Sequence, residues 1–461
     1  MIKLFNQYLP RRKVLFFAGE CLLITLAVML SLLADNHLSS YAAQPLLLLS
    51  KILLIISVYQ VSLFFSDFYS SGFSWNYIKL TYRLFVSLII ASLILGIFHI
   101  VSEDIFHLHT LLAILLFSLL FLLPWRFFYS WFIHQDKYKT RVLILGSGKL
   151  ARDIVRAILG EQELSMHVEG FISPDPRLKG VSIVNPKVIG CMDELSSIVN
   201  KHRIGKIIVA LEERRGTLPL DELLKYKSYG IKIEDGISYY EKVSNQVLVE
   251  YINPSDLIFC DGFKQSQSAL FFKRVFDILL SCAGILIASP LFLIIALLIK
   301  LESKGPVFYK QERVGKNHKP FFIYKFRSMF DDAEKKSGPV MSFANDNRIT
   351  GIGRVIRKTR LDELPQLWNI FKGDMSFVGP RPERPVFVEK FTKHIPFYAQ
   401  RFSLRPGLTG WAQIRCAYAS SIEETLMKLR YELYYLKNFS LLFDMSIILR
   451  TVKVVLFARG L

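Results

Sequence analysis

Four apolar runs of membrane-spanning length occupy the first third of the chain. The runs are Val14–Leu33, Leu46–Phe65, Leu84–Val101 and Leu111–Ile133. A helix needs about 20 apolar residues to cross the hydrocarbon core of a bilayer. Only Glu20 interrupts the first run, and we expect the fourth helix to end near Arg126. The first run lacks a small-residue cleavage site, so we expect an anchor and not a signal peptide. The pattern predicts a four-helix transmembrane bundle over residues 1–136.

Basic residues lie on one side of the predicted bundle and acidic residues on the other. The basic side comprises Lys3, Arg11, Arg12, Lys13, Lys79, Arg83, Lys137, Lys139 and Arg141. The two remaining loops carry Asp35, Glu103 and Asp104 and no Lys or Arg. Because short loops rich in Lys and Arg stay in the cytoplasm, we expect both ends of the bundle to be cytoplasmic.

Residues 137–245 alternate strand patterns with helical patterns, which predicts a Rossmann-like (CoA-binding-like) α/β domain. The first strand, Arg141–Leu145, leads into the glycine-rich turn Gly146–Ala151. Such a turn can hold a pyrophosphate at a helix N-terminus. No acidic residue ends the second predicted strand, Val168–Ile172, so a domain without a cofactor is the competing interpretation. Residues 246–270 are predicted to be a linker.

A fifth apolar segment, Val275–Ile299, is long enough to span a bilayer but contains Ser289-Pro290 past its middle. Proline removes a backbone donor and kinks or breaks a helix. A complete span would carry a dense basic stretch to the outside, against the positive-inside bias. We therefore predict a re-entrant helix–break–helix that returns to the cytoplasmic face, with Ser289 as a partner for a freed carbonyl. A proline kink in an ordinary span is the alternative.

Two adjacent carboxylates, Asp362 and Glu363, lie in a strongly basic neighbourhood. Arg354, Arg357, Lys358 and Arg360 precede them. Cations reduce the charge repulsion between an anionic nucleophile and a phosphate. On the helix that the pattern predicts, neighbouring side chains point about 100° apart, so the two carboxylates should have distinct roles. Ion pairs on a solvated helix face are the alternative for an arbitrary Asp-Glu pair.

Four motifs follow one another in the last third of the chain. They are Tyr324–Met329 (YKFRSM), Leu361–Gln366 (LDELPQ), Val378–Pro382 (VGPRP) and Arg405–Trp411 (RPGLTGW). In this order and spacing they resemble the bacterial sugar transferase family, the monotopic polyprenyl-phosphate phosphoglycosyl transferases that start exopolysaccharide and O-antigen assembly. The resemblance covers roughly Phe271 to Leu461. The whole layout resembles the large members, which add a membrane bundle and a Rossmann-like domain.

The resemblance implies a mainly helical, monotopic catalytic domain over residues 271–461, with a re-entrant helix. Asp362 maps onto the nucleophile that forms a phosphosugar–enzyme intermediate, and Glu363 onto the carboxylate that binds Mg²⁺. Arg381, held between two prolines, maps onto a phosphate ligand, together with Arg357. The remaining substrate-binding candidates are Lys325, Arg327, Arg405 and Arg415.

The expected reaction transfers a sugar-1-phosphate from a UDP-sugar to a polyprenyl phosphate, in particular undecaprenyl phosphate, and releases UMP. We expect it at the cytoplasmic face of the bacterial inner membrane, in a homodimer. Segments that mix apolar and basic residues, Arg384–Phe402 and Met445–Phe457, suit helices in the membrane interface, although core helices are the alternative.

The charge distribution agrees with an anionic membrane and phosphorylated substrates. Net charge is +19, and residues 301–461 contribute +13 of it, with 28 Lys and Arg against 15 Asp and Glu. No zinc-finger, RNP or helix-turn-helix signature accompanies this charge, so we do not expect nucleic acid as a partner. The five cysteines lack CxxC spacing, which predicts reduced thiols without a disulfide framework or zinc site.

Two other classes of function compete with this interpretation. A membrane-bound nucleotide-sugar dehydratase or epimerase would need a Tyr-x-x-x-Lys pair, and Tyr226-Lys227 lacks that spacing. A nucleotide-sensing scaffold around the glycine-rich turn would leave Asp362 and its arginines unexplained. The pair Asp331-Asp332 suggests the DxD of a glycosyltransferase, but no apolar strand precedes it.

Overall fold

The computed structural model describes most of the chain, in two compact units. The described residues are 1–4, 6–34, 45–69, 77–101, 107–133, 135, 139–161, 164–214, 216–252, 263, 266–330, 348–416 and 421–457. One unit contains residues 1–3 and 8–243, and the other residues 4–7 and 244–461. At the start of the chain, β1 (Ile2–Leu4) and β2 (Gln7–Leu9) form a two-stranded sheet. The Asp331-Asp332 pair lies outside the described residues.

Four long helices follow, each apolar enough to cross a membrane. They are α1 (Arg11–Ala34), α2 (Pro45–Phe65), α3 (Tyr77–Val101) and α4 (Leu108–Ile133). Buried residues from all four, among them Ile24, Ile55, Leu84 and Ile114, share one hydrophobic core. Their outer faces expose large apolar side chains, as expected of helices surrounded by lipid.

The fourth helix does not end near Arg126 as expected. Arg126 forms a buried ion pair with Glu20 of α1, and the Tyr69 hydroxyl also donates to Glu20. Paired and hydrogen-bonded charges are tolerated inside a helix bundle, because each charge interacts with another protein group in place of water. The helix therefore continues to Ile133.

A parallel five-stranded sheet with helices completes the first unit. Its elements are β3 (Thr140–Leu145), α5 (Lys149–Gly160), β4 (Met166–Ser173), β5 (Val188–Cys191), α6 (Leu195–Lys201), β6 (Lys206–Val209), α7 (Leu220–Ser228), β7 (Lys232–Asp235) and α8 (Gly236–Ser244). The strand order β5-β4-β3-β6-β7 places the glycine-rich turn after β3, at the point where the order reverses. This confirms the predicted α/β domain, and β5 is a strand that the sequence pattern missed.

The second unit begins with α9 (Gln267–Glu302), the longest described helix. The sequence predicts a break at Ser289-Pro290, whereas the helix continues through both residues. Ser289 Oγ donates to the Leu286 carbonyl at 2.8 Å, the carbonyl that the missing N–H of Pro290 leaves open. Ser289 thus binds the carbonyl that Pro290 leaves open, and this contact explains why the helix need not separate here. The re-entrant course itself stays a prediction.

The rest of the second unit is a mainly helical domain. Its elements are β8 (Phe308–Val314), β9 (Pro320–Phe326), α10 (Gly351–Lys358), α11 (Gln366–Lys372), β10 (Ser376–Val378), α12 (Pro385–His394), β11 (Gly407–Thr409), α13 (Trp411–Arg415), α14 (Ile422–Lys437) and α15 (Leu441–Leu456). Strands β8 and β9 pair antiparallel, and β10 and β11 pair parallel. Buried aromatic residues of α14 and α15, including Tyr434 and Phe443, form the centre of its core.

Candidate active site

Asp362 and Glu363 lie in a single 3₁₀ turn, Leu361–Glu363, between α10 and α11. The expectation that they share a regular helix was wrong. Pro365 cannot donate to the carbonyl four residues before it, so an α-helix cannot continue through the motif. Arg360 has a left-handed backbone with φ of 59°, which ends α10. Adjacent side chains in a 3₁₀ turn point about 120° apart, so the two carboxylates still point in different directions, and their distinct roles stay a prediction.

Glu363 is a buried carboxylate held by two cations. Its Oε1 accepts hydrogen bonds from Lys325 Nζ at 2.7 Å and Arg381 Nη2 at 3.1 Å. Burial acts to raise the pKa of Glu363, but the charges of Lys325 and Arg381 outweigh it and hold that pKa well below its usual range. Glu363 is therefore ionised at neutral pH.

Asp362 is also buried, but its carboxyl is in a different electrostatic environment. Burial raises its pKa, and the adjacent charge of Glu363 raises it further, against the opposing effect of Lys325, Arg357 and Arg360. Two neighbouring carboxylates whose pKa values move apart are typical of a catalytic pair. The geometry brings Asp362, Glu363, Lys325, Arg357 and Arg381 together, as the sequence predicts.

A buried ion pair that the sequence analysis missed orients Arg381. Arg401 Nη2 donates to the Arg381 carbonyl at 2.9 Å. The same guanidinium binds Glu432 through Nη2–Oε1 at 2.7 Å and Nε–Oε2 at 2.9 Å. The Arg381 side chain is held separately, by Glu363 and by Gln413 Oε1 at 3.3 Å. Arg401 and Glu432 are 31 positions apart in sequence, so no local pattern reveals them.

Three glycines in the last two motifs allow two short strands to approach each other closely. A Cβ on Gly379 would lie 2.4 Å from the Arg405 carbonyl oxygen, and one on Gly407 would lie 2.1 Å from the Gly379 nitrogen. A Cβ on Gly410 would lie 2.3 Å from the Gly379 carbonyl oxygen. Only glycine permits this approach of β10 to β11, which positions the turn that carries Arg381.

The start of α9 is bound to the strand that leads to Arg381. Asp277 Oδ1 accepts from the Phe377 backbone N–H at 3.0 Å and the Ser376 hydroxyl at 3.1 Å. One turn earlier, Lys273 Nζ binds Asp444 Oδ2 at 2.6 Å. In the sequence, the only sign of these contacts was Asp277, a single acidic residue inside an apolar run. These contacts fix α9 relative to the turn that carries Arg381.

The other predicted ligands have different positions. Arg327 donates through Nη1 to the Lys304 carbonyl at 2.8 Å and through Nη2 to the Ser303 carbonyl at 2.9 Å, at the end of α9. Its geometry favours a structural role. Arg405 lies close to Arg274, whose pKa is lowered first by burial and then by the charge of Arg405.

Arg415 lies over the ring of Trp411, with its Cζ 4.5 Å from the ring centroid. The contacts among the described residues therefore do not bring Arg327, Arg405 or Arg415 to the carboxylates, and their substrate-binding roles stay predictions.

In the first unit, an internal carboxylate lies at the glycine-rich turn. Glu212 Oε1 accepts from the Lys149 backbone N–H at 3.2 Å, at the N-terminus of α5. A Cβ on Gly148 would lie 2.2 Å from the same oxygen. This is the position where a pyrophosphate would meet the helix N-terminus. The geometry thus favours the interpretation of this domain without a bound dinucleotide.

Comparison with known proteins finds family models that match two parts of the chain. A family model described as bacterial sugar transferase matches residues 268–458, and one described as CoA-binding domain matches residues 65–218. The UDP-N-acetylgalactosamine-undecaprenyl-phosphate N-acetylgalactosaminephosphotransferase of Aeromonas hydrophila is 44% identical over 220 residues, 48% of this chain and 51% of the relative. That match spans about half the length of the relative.

Two further relatives extend the comparison. The exopolysaccharide production protein PSS of Rhizobium leguminosarum bv. phaseoli is 45% identical over 188 residues, 40% of this chain and 94% of the relative. The undecaprenyl-phosphate galactose phosphotransferase of Salmonella typhimurium is 29% identical over 342 residues, 70% of this chain and 69% of the relative.

The apolar helices and the carboxylate turn with its arginines define a membrane-associated protein with a cationic carboxylate site. The chain belongs to the bacterial sugar transferase family.

Proposed function

We propose that this protein transfers a sugar-1-phosphate from a UDP-sugar to undecaprenyl phosphate and thereby starts exopolysaccharide or O-antigen synthesis. The observation that carries the proposal is the buried Asp362–Glu363 turn, with Lys325 and Arg381 bound to Glu363. The names of the relatives support the acceptor, and their sugars differ. UMP release from UDP-N-acetylgalactosamine, UDP-galactose and UDP-glucose by the purified protein tests the proposal, and release from no UDP-sugar contradicts it.

The reaction has two displacements at one phosphorus. An Asp362 carboxylate oxygen attacks the β-phosphorus of the donor, and the bond from this phosphorus to the oxygen bridging it to UMP breaks. UMP leaves with that bonding pair, and Asp362 becomes an acyl phosphate that carries the sugar. A phosphate oxygen of the polyprenyl phosphate then attacks the same phosphorus. The bond to Asp362 breaks and the carboxylate is regenerated, so no net proton transfer to the enzyme is needed.

The donor set around Glu363 fits Mg²⁺. Glu363 Oε2 accepts no hydrogen bond from the described residues, so one oxygen of an ionised carboxylate is available. The described residues contain no group of three or more His, Cys, Asp or Glu that could hold a metal. Mg²⁺ commonly takes one or two protein carboxylates and completes its shell with water and substrate phosphates. Held at Glu363, it would neutralise diphosphate charge, while Lys325 and Arg381 keep that carboxylate ionised.

Chelation of divalent cations should stop UMP release. EDTA in excess should lower the rate to background, and added Mg²⁺ should restore it, because the diphosphate charge is then neutralised again. Glu363→Gln, which removes the charged ligand, should require at least about tenfold more Mg²⁺ for half-maximal rate. Full activity in excess EDTA would remove the metal from the proposal.

The rate of UMP release should fall in acid at a higher pH than for a free aspartate. The nucleophile must be ionised, and the pKa of Asp362 is raised above the ordinary 3.8. Activity is therefore lost as pH falls through that raised value, whereas Glu363 stays ionised. Lys325→Gln should move the acid limb further up, because Lys325 lowers the pKa of Asp362. The pH profile of kcat/KM checks this, and a plateau that extends below pH 3.8 would contradict it.

Contacts along α9 support a location on one face of the membrane. Near its start, Lys273 binds Asp444, and near its middle Ile285 shares a core with Leu367. Toward its end the contacts continue through Phe292, Ile295 and Ile299, which pack with Ile356, and through Glu302, which accepts from the Gly351 N–H at 2.6 Å. A helix of 36 residues is about 54 Å long, yet both halves lie on one unit. If α9 crossed a hydrocarbon core of about 30 Å, the residues that pack against its second half would have to lie within the membrane or beyond it.

The opposite side of α9 supplies the apolar surface for the membrane. Its exposed residues include Phe272, Leu279, Leu286, Leu293, Leu297 and Leu301. We therefore propose that the first four helices span the inner membrane and that α9 enters it from the cytoplasmic side, bends at Pro290 and returns. The active site then lies in the cytoplasm, where nucleotide sugars occur. A homodimer is part of this proposal.

Single cysteines should report the same side of the membrane at both ends of α9. Ser266→Cys and Lys319→Cys, each in a cysteine-free background, should resist an impermeant thiol reagent in intact spheroplasts and react after permeabilisation. Both positions are exposed in the protein, so protection reflects topology and not burial. Labelling of the Lys319 position alone from outside would overturn the cytoplasmic active site.

A further inference from the structure

Two arginines of the second unit lie over one buried indole ring. Trp411 begins α13, and its Nε1 donates to the Asn245 carbonyl at 3.2 Å. The Cζ of Arg415 lies 4.5 Å from the ring centroid, and the Cζ of Arg450, on α15, lies 5.7 Å from it. The attraction of each cation to the ring holds both guanidinium groups in place.

Neither arginine has a carboxylate within 4.0 Å among the described residues. The Nε of Arg450 is buried and has no hydrogen-bond partner there. Burial and the charge of Arg415 lower the pKa of Arg450 to about 10. A partly buried cation without an anionic partner destabilises the fold, and a second cation beside it adds to that cost. The indole face attracts the charge but is not an anionic acceptor for the Nε–H, so the two arginines lack an anion among the residues that the structure describes.

The surroundings indicate what kind of anion fits. On α15, Leu442, Met445, Leu449, Val452 and Leu456 form an exposed apolar stripe, whereas Phe443 and Ile447 are buried. Arg450 lies between these two faces, next to Thr451, whose Oγ1 is 2.6 Å from Thr409 Oγ1. The arginine pair therefore lies beside a surface suited to acyl or isoprenyl chains.

We propose that Arg415 and Arg450 form a second phosphate site, which binds the phosphate monoester of a lipid acceptor at the membrane edge. Two guanidinium groups match a phosphate dianion in charge, and each can bind phosphate oxygens in a bidentate manner. The site is joined to the carboxylate turn through α13, because Gln413 on this short helix binds Arg381, which in turn binds Glu363. The assignment of this phosphate to the acceptor rests on the proposed function.

The test uses the full-length protein in lipid nanodiscs and farnesyl phosphate as a short polyprenyl phosphate. Binding to the folded state raises the thermal unfolding midpoint, and this measurement does not need turnover. Farnesyl phosphate should raise the midpoint of the wild type, and farnesol should not. The rise should be at least halved in Arg450→Gln and in Arg415→Gln. Lys453→Gln, which removes one charge from the same helix, is the matched control and should respond like the wild type.

The outcomes separate the site from the reaction. Equal stabilisation of the wild type and both arginine variants would overturn the site, even if UMP release is intact. Stabilisation by phosphatidylglycerol or inorganic phosphate equal to that by farnesyl phosphate would overturn its selectivity for a lipid monoester. If Arg450→Gln does not fold, the exposed Arg415 still allows the comparison. In turnover, the KM for farnesyl phosphate should rise at least tenfold in Arg415→Gln, and by a larger factor than the KM for the UDP-sugar.

Discussion

Asp362→Asn should abolish UMP release and formation of any phosphosugar–enzyme adduct. The amide has nearly the shape of the carboxylate but cannot act as an anionic nucleophile. We expect the rate to fall at least about a thousandfold, which corresponds to about 4 kcal/mol in the activation barrier. Single-turnover UMP release and intact-protein mass spectrometry with a UDP-sugar measure the two effects directly.

The stability of this variant separates lost chemistry from lost folding. The pKa of Asp362 is higher in the folded protein than its ordinary value, so the ionised carboxylate disfavours the folded state at neutral pH. Asp362→Asn should therefore have a thermal unfolding midpoint at least as high as the wild type. Asp374→Asn, at a carboxylate paired with Lys372 near the surface, is the matched control and should keep its activity. Near-normal turnover in Asp362→Asn would exclude covalent catalysis at this position.

The sequence predicted those parts of the molecule whose signals are local. Buried strands such as Arg141–Leu145 are continuous apolar runs, and their place in a parallel sheet follows from the helices between them. The carboxylates and Arg381 stand inside short motifs, so their identity needed no knowledge of packing. The 3₁₀ turn also had a local cause, Pro365, whose effect on the preceding carbonyl could have been recognised.

The features that the sequence did not reveal depend on distant partners. Arg327 is part of a motif, but its guanidinium reaches the end of α9, whose position relative to β9 only the fold defines. Arg401 meets Glu432 across the core, and Asp277 reaches β10 across about a hundred positions. Arg126 is paired with Glu20 of the first helix, which is distant in sequence, so a charge that was expected to end the fourth helix lies within it.

Arg381→Lys should lower kcat/KM for the UDP-sugar by about a hundredfold, although it conserves the charge. Arg381 uses two different nitrogens, Nη2 for Glu363 and Nη1 for Gln413, and the turn that carries it is fixed by Arg401. A lysine ammonium is a point charge and cannot hold Glu363 and Gln413 in this fork while also meeting a phosphate. A hundredfold loss corresponds to about 2.7 kcal/mol of transition-state stabilisation, within the range for one lost charge-assisted contact.

The control for Arg381→Lys is Arg354→Lys, the same substitution at an exposed position of α10. Arg354 should tolerate it with a change of less than about twofold, because exposed charges contribute little. In Arg381→Lys the thermal midpoint should change little, since the charge next to Glu363 remains, and the loss should appear mainly in kcat if the fork binds the transition state better than the donor. A variant with wild-type kcat/KM would show that the charge at this position suffices and that its hydrogen-bonding geometry does not contribute to the reaction.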